Sequence, residues 1–343
     1  MDLFTSEANL EIVKINKGDV ILNSDTLKLF KTSILKHEEM YPKISLWLKN
    51  KVLPGIESGQ RIAYLGLYNG EPVVTAVVKI GPSSKFCHLH IEKKFQDKSI
   101  GELFFAMMIV DVRHMAQSIH FTLPESLWED EKGFFSSFGF EQAKKSKTQY
   151  RKSEEELSCN ATFKKVWEST LIKLPKIMEI QAADKSNVVN GLMMSVQPKF
   201  TDRILNGDKV IELRKKFNSK WTQRRITLYS SAPNKSIIGY AVIQKVISNT
   251  PEKIWEEYGS ELGCSQTEYK DYTGNLDKVF AIKLTEVTPY KNPIFLSQLS
   301  NFLGADLIPP QSYLALKENK NWLNAIAISD LLQGKFSTII QNA

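Results

Sequence analysis

The segment from Gly207 to Lys216, GDKVIELRKK, constrains the fold of this chain more than any other stretch. A turn leads into a short β-rich run that carries four cationic side chains and the carboxylate of Glu212. Short strands separated by turns surround it: LMMSVQ, ITLYSS, IIGYAVIQKVI and VFAIKLTEV. This pattern predicts a small β-barrel with inserted helices.

The same segment lies in the half of the chain that carries the surplus positive charge. Residues 1–160 contain 21 Lys and Arg against 21 Asp and Glu, whereas residues 161–343 contain 24 against 17. A surplus this local predicts a polyanionic partner, most simply a nucleic acid; the alternative is a solvated basic face without a partner. The side chains predicted to contact nucleic acid are Lys199, Lys209, Arg214, Lys215, Lys216, Lys220, Arg224 and Arg225.

The length and composition of the chain limit the classes of protein to which it can belong. A chain of 343 residues with 42% hydrophobic and 24% charged side chains has room for two globular domains. No apolar run reaches the ~18 residues of a membrane span, so no membrane association is expected. The three cysteines, Cys87, Cys159 and Cys264, are widely separated. This spacing predicts a reduced, cytoplasmic compartment and no cysteine-based zinc site.

The N-terminal half is predicted to form a mixed sheet with helices. RIAYLGLY and PVVTAVVKI, joined by Asn69-Gly70, predict a β-hairpin over residues 61–80. Further on, a strand ending at Ile91, a helix over about residues 100–117 and the strand SIHFTL predict a parallel pair with a crossover helix. The expected fold class is therefore α/β (α+β). The expected divisions are a domain over 1–152, a linker over 153–188, a β-barrel domain over 189–317 and a helical tail over 318–343.

A polar loop joins the strand ending at Ile91 to the following helix. Backbone N–H groups at a helix start, with the positive end of the helix dipole, bind phosphate groups. The loop resembles motif A of the GNAT acetyltransferase family, and FFSSFGF at Phe134–Phe140 resembles the family's closing motif. The resemblance covers about residues 8–150 and implies acetyl-CoA as cosubstrate. It places the cosubstrate on the backbone of Ile91 and on Gln96, Asp97, Lys98, Ser99, Ile100 and Gly101.

The catalytic positions depart from that family. Phe135 stands where many members have a tyrosine general acid, and a phenyl ring cannot donate a proton. The strand before the loop carries two imidazoles, His88 and His90, which a strand presents on one face. Either could accept a proton from an attacking amine at neutral pH, or the pair simply packs or faces solvent. A zinc role for the pair is not expected, because no third ligand is evident, and no metal site is predicted.

Gly207-Asp208-Lys209-Val210-Ile211-Glu212-Leu213-Arg214 resembles the Gly-x-Lys-x-x-Glu-x-Arg hallmark of ASCH domains, which have a PUA-like fold. The resemblance spans about residues 190–317 and implies binding of RNA or modified nucleosides. One branch of the family hydrolyses N4-acetylcytidine with a Lys and a Thr three residues on, and here Glu212 stands at the Thr position. Lys209 and Glu212 are expected to share a cleft, as an acid–base pair or as a structural ion pair.

Together these features predict an acetyl-CoA-dependent N-acetyltransferase joined to an RNA-binding ASCH module. Its acceptor would be an amine on a modified base or on an aminoacylated tRNA. One alternative is a non-catalytic RNA-binding or regulatory protein with a degenerate GNAT domain, which Phe135 favours. A third hypothesis makes the ASCH module the enzyme, as a nucleoside amidohydrolase or ribonuclease that uses Lys209 and Glu212.

Overall fold

The computed structural model describes residues 9–39, 41–96, 99–151, 154–179, 187–333 and 335–339. The chain divides into two compact units. The first contains Met1–Ile180 and Asp330–Ala343, and the second contains Gln181–Ser329. In the described part of the chain, no helix is both long enough and apolar enough to cross a membrane.

The first unit is a mixed α/β structure, as the sequence predicts. Its elements are β1 (Asn9–Ile15), α1 (Lys17–Ile21), α2 (Asp25–Leu35), α3 (Ile44–Trp47), α4 (Leu53–Glu57), β2 (Arg61–Tyr68), β3 (Glu71–Lys79), β4 (Ser83–Ile91), α5 (Ile100–Val112), β5 (Ser118–Pro124), α6 (Glu125–Ser137), β6 (Ala143–Lys145), β7 (Glu156–Thr162) and α7 (Phe163–Met178).

One eight-stranded sheet organises this unit, in the order β14-β1-β2-β3-β4-β5-β7-β6, where β14 is Lys335–Ile339. The predicted hairpin is confirmed: β2 pairs with β3, and Asn69 and Gly70 turn the chain with φ of 51° and 83°. The predicted crossover is also confirmed, because β4 and β5 are parallel and α5 connects them. All the other described pairings in this sheet are antiparallel.

The structure differs from two of the expected divisions. The stretch expected to be a linker contains β7 and α7, and β7 pairs with β5 and β6 inside the sheet. The tail expected to be helical starts as a helix, but residues after it form β14, which pairs with β1 at the edge of the same sheet. Both differences have one physical cause, because sheet pairing between segments separated in sequence leaves no local sequence pattern.

The second unit alternates strands with short helices. Its elements are β8 (Leu192–Val196), α8 (Pro198–Leu205), β9 (Ile211–Arg214), β10 (Arg225–Ser230), β11 (Ser236–Asn249), α9 (Pro251–Tyr258), α10 (Gln266–Thr273), β12 (Val279–Phe295), α11 (Leu296–Leu303) and β13 (Tyr313–Ala315). The final helix, α12 (Lys320–Gln333), begins in this unit.

Its strands form one curved sheet in the order β13-β8-β10-β11-β12-β9. β11 and β12 are long and contain several β-bulges, which bend strands sharply. The bending brings the two edges of the sheet together. Arg214 of β9 donates from Nη2 to the carbonyl of Ser195 on β8, at 2.7 Å, and the rings of Phe217 and Tyr313 lie 4.8 Å apart. The result is the half-barrel expected of a PUA-like domain.

Two apolar clusters stabilise the half-barrel. The inner cluster fills the concave side with Leu192, Met194, Ile226, Leu228 and Ile243, among others. On the outside, α9 and α10 pack through Ile254, Leu262 and Tyr269 onto β9 and the start of β12. The α9–α10 insertion therefore stands beside β9, where the GDKVIELRKK segment runs.

Candidate functional sites

The ammonium of Lys209 is buried at the start of β9, with its side chain 3% exposed. Its Nζ donates to the carbonyls of Ile211 and Leu262, both at 2.7 Å, and lies 3.4 Å from Oε2 of Glu212. The two hydrogen bonds and the ion pair together hold the ammonium in place. Lys209 therefore positions Glu212 and joins β9 to the α9–α10 insertion.

Glu212 is held from its other side by Arg214. The guanidinium Nη1 of Arg214 donates to Oε1 of Glu212 and to the carbonyl of Leu213. Arg214 Nε is buried and has no hydrogen-bond partner in the described part of the chain. The expectation that Lys209 and Glu212 lie together holds geometrically, and Arg214 completes a buried cation–carboxylate–cation row.

Backbone turns on either side place this row. Gly207, with φ of 83°, turns the chain out of α8, and the backbone N–H of Lys209 bonds the carbonyl of Arg203 at 3.0 Å. Across from it lies Gly263, with φ of 59°, where an added Cβ would sit 2.7 Å from Cβ of Lys209. Glycine is therefore required at 263 both for its conformation and for close packing.

A cleft of about 900 Å³ opens above the row. Its cations are Lys199, Lys209, Arg214, Lys215 and Lys216, and its acids are Glu212, Glu268 and Asp271. Phe200 from α8 and Tyr269 and Tyr272 from α10 supply aromatic surface, and Gln197, Gln311 and Ser312 supply amide and hydroxyl groups. The cleft thus combines positive charge, aromatic rings and hydrogen-bonding groups.

Some of those charges are already paired. Lys199 forms an ion pair with Glu268 at 2.8 Å, and this bond, with those from Ser265, lowers the pKa of Glu268 to about 2. Lys215 Nζ lies 5.4 Å from the ring of Tyr272, whose pKa is raised chiefly by burial. The exposed ammonium groups of Lys215 and Lys216 are the cations of the cleft best placed to meet a ligand's charge.

The predicted basic surface separates into three parts. Lys199, Lys215 and Lys216 line the cleft, whereas Lys220 and Arg224 are exposed elsewhere. Arg225 is only 2% exposed, so its prediction as a nucleic-acid contact is wrong. Its guanidinium lies 4.0 Å from the ring centre of Tyr240 and donates to Thr227 and Tyr290. Lys209 is likewise buried, which removes it from the exposed basic surface.

In the first unit, β4 and β5 diverge where the polar loop begins. Their pairing is confined to Ser83–Lys85 with Ser118–His120, and β4 then continues to Ile91 along β3 alone. A wedge therefore opens between the two strands toward the start of α5. The side-chain amide of Gln96 donates to the carbonyl of Ile91 at 3.0 Å, which ties the loop to the end of β4.

The polar loop ends at the start of α5. Ser99 caps the helix in the left-handed conformation, with φ of 55°, so the chain turns abruptly into Ile100 and Gly101. A Cβ on Gly101 would lie 3.2 Å from Cδ1 of Ile91, so glycine allows α5 to approach the end of β4. Asp97 and Lys98, also expected at this site, lie outside the described residues.

Phe135 is part of an aromatic cluster beneath this wedge. Its ring stacks on Trp128 at 5.9 Å and lies 5.1 Å from Phe121 of β5, and the side chain is buried. The residue expected to replace a catalytic tyrosine therefore packs as an apolar side chain and offers no proton.

The two candidate imidazoles occupy different environments. His88 is buried and contacts Oγ1 of Thr75 at 2.9 Å, and burial, followed by the repulsion of His37 and His90, lowers its pKa to about 3. His90 is half-buried, and its ring lies 3.8 Å from that of His37. His37, in the turn after α2, was missed by the sequence analysis because nothing in its local pattern marks it. No cluster of three metal-binding side chains occurs among the described residues.

Part of the chain is similar in sequence to known proteins. Residues 189–305 match the family model described as "Domain of unknown function (DUF365)". The chain is 31% identical over 128 residues to an ASCH domain-containing ribonuclease of Zymomonas mobilis, covering 37% of this chain and 85% of that protein.

Solved structures also resemble parts of the chain. The crystal structure of ASCH from Zymomonas mobilis covers 39% of this chain and 93% of that chain, with 30% identity and a TM-score of 0.36. A probable acetyltransferase from Staphylococcus epidermidis covers 45% of this chain and 98% of that chain, with 14% identity and a TM-score of 0.34. On its identity to the Zymomonas ribonuclease over most of that protein's length, the chain belongs to the ASCH domain family.

Proposed function

We propose that the second unit binds single-stranded RNA in the cleft above Lys209, Glu212 and Arg214. The observation that carries the proposal is the meeting of exposed ammonium groups with aromatic rings in one cleft of about 900 Å³. Single strands are bound by phosphate neutralisation together with base stacking on aromatic side chains. This volume suits a nucleotide-sized part of a strand and is too small for a duplex. The relative named as a ribonuclease supports RNA as the ligand.

Different residues of the cleft would bind different parts of the RNA. Lys215 and Lys216, exposed at the rim, would neutralise phosphates, and the faces of Phe200 and Tyr272 would take bases. Glu212 is already held by two cations, so it adds little repulsion to an entering phosphate.

Fluorescence anisotropy with a labelled single-stranded RNA tests this proposal. Affinity should fall steeply between about 50 and about 300 mM salt. The slope of the logarithm of the binding constant against the logarithm of the salt concentration should decrease in magnitude by about 1.4 when Lys215 and Lys216 are both changed to Ala. The matched control removes two exposed lysines away from the cleft, Lys253→Ala with Lys291→Ala. Equal loss of affinity in the two double variants would refute the assignment of the cleft.

We infer a second activity for the first unit, transfer of an acetyl group from acetyl-CoA to an amine. The wedge between β4 and β5 and the abrupt start of α5 at Ser99 favour it. The diphosphate would bind the backbone N–H groups at Ile100 and Gly101, and the loop residues Asp97 and Lys98 are proposed to belong to the same site. The close approach of Gly101 to Ile91 fits a loop that leaves no space for a side chain there.

In this site the cosubstrate supplies the activated thioester, and the protein positions the reacting groups. Backbone groups at the end of β4 would orient the acyl carbonyl. Phe135 cannot protonate the departing sulfur, but a free thiol has a pKa near ~8.5, so thiolate is a tolerable leaving group without an acid. The acceptor proposed here is an amine carried on RNA, such as an aminoacylated tRNA.

Two measurements test the transferase proposal. Acetyl-CoA should raise the melting temperature of the wild type and leave that of Gly101→Glu unchanged. Gly133→Ala is the control, because a Cβ at 133 meets no atom within 4 Å. Labelled acetyl-CoA should then label bulk aminoacylated tRNA. If the wild type shows neither a thermal shift nor transfer, the proposal is refuted.

A further candidate activity is RNA cleavage in the cleft, favoured by the buried row and by the relative named as a ribonuclease. In such a reaction the 2′-oxygen bonds to the adjacent phosphorus while its proton passes to Glu212. The bond from phosphorus to the 5′-oxygen breaks, and that oxygen takes a proton from water. Arg214 and Lys215 would face the developing phosphate charge, and Lys209 would hold Glu212 in place. A labelled RNA left intact by the wild type, or cut equally by Glu212→Gln, would exclude this activity.

A further inference from the structure

Three of the five histidines in the chain lie together on one side of the N-terminal sheet. The rings of His37 and His90 are 3.8 Å apart at an angle of 44°, and that of His88 lies 5.9 Å from His37. His37 comes from the turn after α2, whereas the other two come from β4. The tertiary fold therefore builds this group from separate segments.

A small cavity lies between the rings and the strand β3. Its lining includes His37, His90, Thr75 and Glu92, and its volume of about 10 Å³ is near the lower limit for one water molecule. Glu92 immediately follows β4 and adjoins the end of the strand where the wedge opens. Thr75 and Glu92 thus place polar groups beside the two rings.

We propose that His37 and His90 form a coupled imidazole pair that accepts the proton of the amine acceptor, with His90 as the base and His37 as its positioning residue. This inference rests on the proposed acetyl transfer. In the step, the amine nitrogen bonds to the acyl carbon and the carbon–sulfur bond breaks. The N–H proton passes to the free nitrogen of His90, and the thiolate leaves with the electron pair of the broken bond.

The surroundings of the pair oppose protonation of both rings. Burial is the main cause of a lowered pKa at both His37 and His90, and the repulsion of His37 lowers the pKa of His90 further. The charged and titratable groups that face the pair are Lys36 from α2, Glu92 after β4 and His88 on β4. Glu92 raises the pKa of both rings, so it favours the protonated pair.

His88 does not have the role of proton acceptor that the sequence suggested. Its ring is buried, contacts Thr75 and has a pKa of about 3, so it stays neutral at physiological pH. A group this hard to protonate is a poor proton acceptor. The pair of candidate bases predicted on β4 is therefore replaced by a pair that spans β4 and the turn after α2.

Histidine-selective labelling of the full chain tests the pair without any substrate. NMR titration of the wild type should show His37 and His90 titrating together, each below its ordinary pKa. In His37→Gln the pKa of His90 should rise, because its repulsive neighbour is gone. The exposed His114, changed to Gln, is the control and should leave both titrations unchanged. An unchanged His90 titration in His37→Gln overturns the inference.

The pH dependence of acetyl transfer to bulk aminoacylated tRNA gives the second readout. In His37→Gln the acid limb of kcat/KM should move to higher pH, following the raised pKa of the base. His90→Gln should lose most of the rate while acetyl-CoA still raises its melting temperature. A His90→Gln variant with full activity overturns the role of the pair, whereas a wild type that transfers nothing overturns the transferase proposal and leaves the titration to decide the coupling.

Discussion

Acidification should destabilise the first unit through His88. The ring is buried against Thr75, and its pKa is about 3 in the folded chain. In the unfolded chain a histidine has a pKa of about 6.5. Between these two values the unfolded state binds more protons than the folded state, so the free energy of unfolding rises with pH. His88 stabilises the fold fully above its unfolded pKa and loses that contribution as the pH falls toward 3.

The magnitude follows from the two pKa values. Lowering the pH from about 7.5 to about 5.0 protonates His88 almost completely in the unfolded chain and hardly at all in the folded one. The difference amounts to about 1.5 pKa units, or about 2 kcal/mol of the free energy of unfolding. This is a large part of the stability of an ordinary domain.

Urea unfolding at both pH values measures the effect, with hydrogen exchange of the β3 and β4 amides as the reporter of this unit. His88→Gln keeps a polar partner for Thr75 but does not titrate. Its loss of stability between the two pH values should be smaller than that of the wild type by about 2 kcal/mol. His120→Gln, on the neighbouring strand β5, is the control for a more exposed ring. An equal pH dependence in the wild type and His88→Gln would refute the reasoning.

Three further changes test the buried contacts. Lys209→Met leaves Glu212 buried without its ammonium and should lower the free energy of unfolding by about 3–5 kcal/mol in urea titrations. Gly263→Ala should lower the melting temperature more than Gly274→Ala, because both positions have positive φ but only at 263 would the new Cβ meet atoms within 4 Å. Lys14→Met removes the ammonium from a buried carboxylate and from a carbonyl in the last turn of α12, and should destabilise the first unit by a similar ~3–5 kcal/mol.

For each of these three predictions, one result would contradict the reasoning. If Lys209→Met has the same free energy of unfolding as the control Lys291→Met, Glu212 tolerates the loss of the Lys209 ammonium. Equal effects of the two alanine substitutions would mean that conformation, and not crowding, decides the cost at Gly263. A Lys14→Met variant as stable as the wild type would remove the reason for treating that ion pair as a stabilising link between β1 and α5.

Features encoded by residues close in sequence could be predicted. The hairpin follows from Asn69-Gly70 between two β-rich runs, and the β4–α5–β5 crossover follows from their order. The proximity of Lys209 and Glu212 follows from three-residue spacing next to a turn. In each case the interacting groups are neighbours along the chain, so local conformation alone brings them together.

Contacts between distant segments were decided by the tertiary structure. The sequence by itself determined two sets of elements, the surplus charge of the second half and the motif around Lys209. Only the fold added β7 and β14 to the first sheet, buried Arg225 against Tyr240, set the rings of α10 opposite Lys215 and placed His37 on His90. The physical reason is that burial and partners depend on pairing across the fold, which the type of a residue and its neighbours in sequence do not specify.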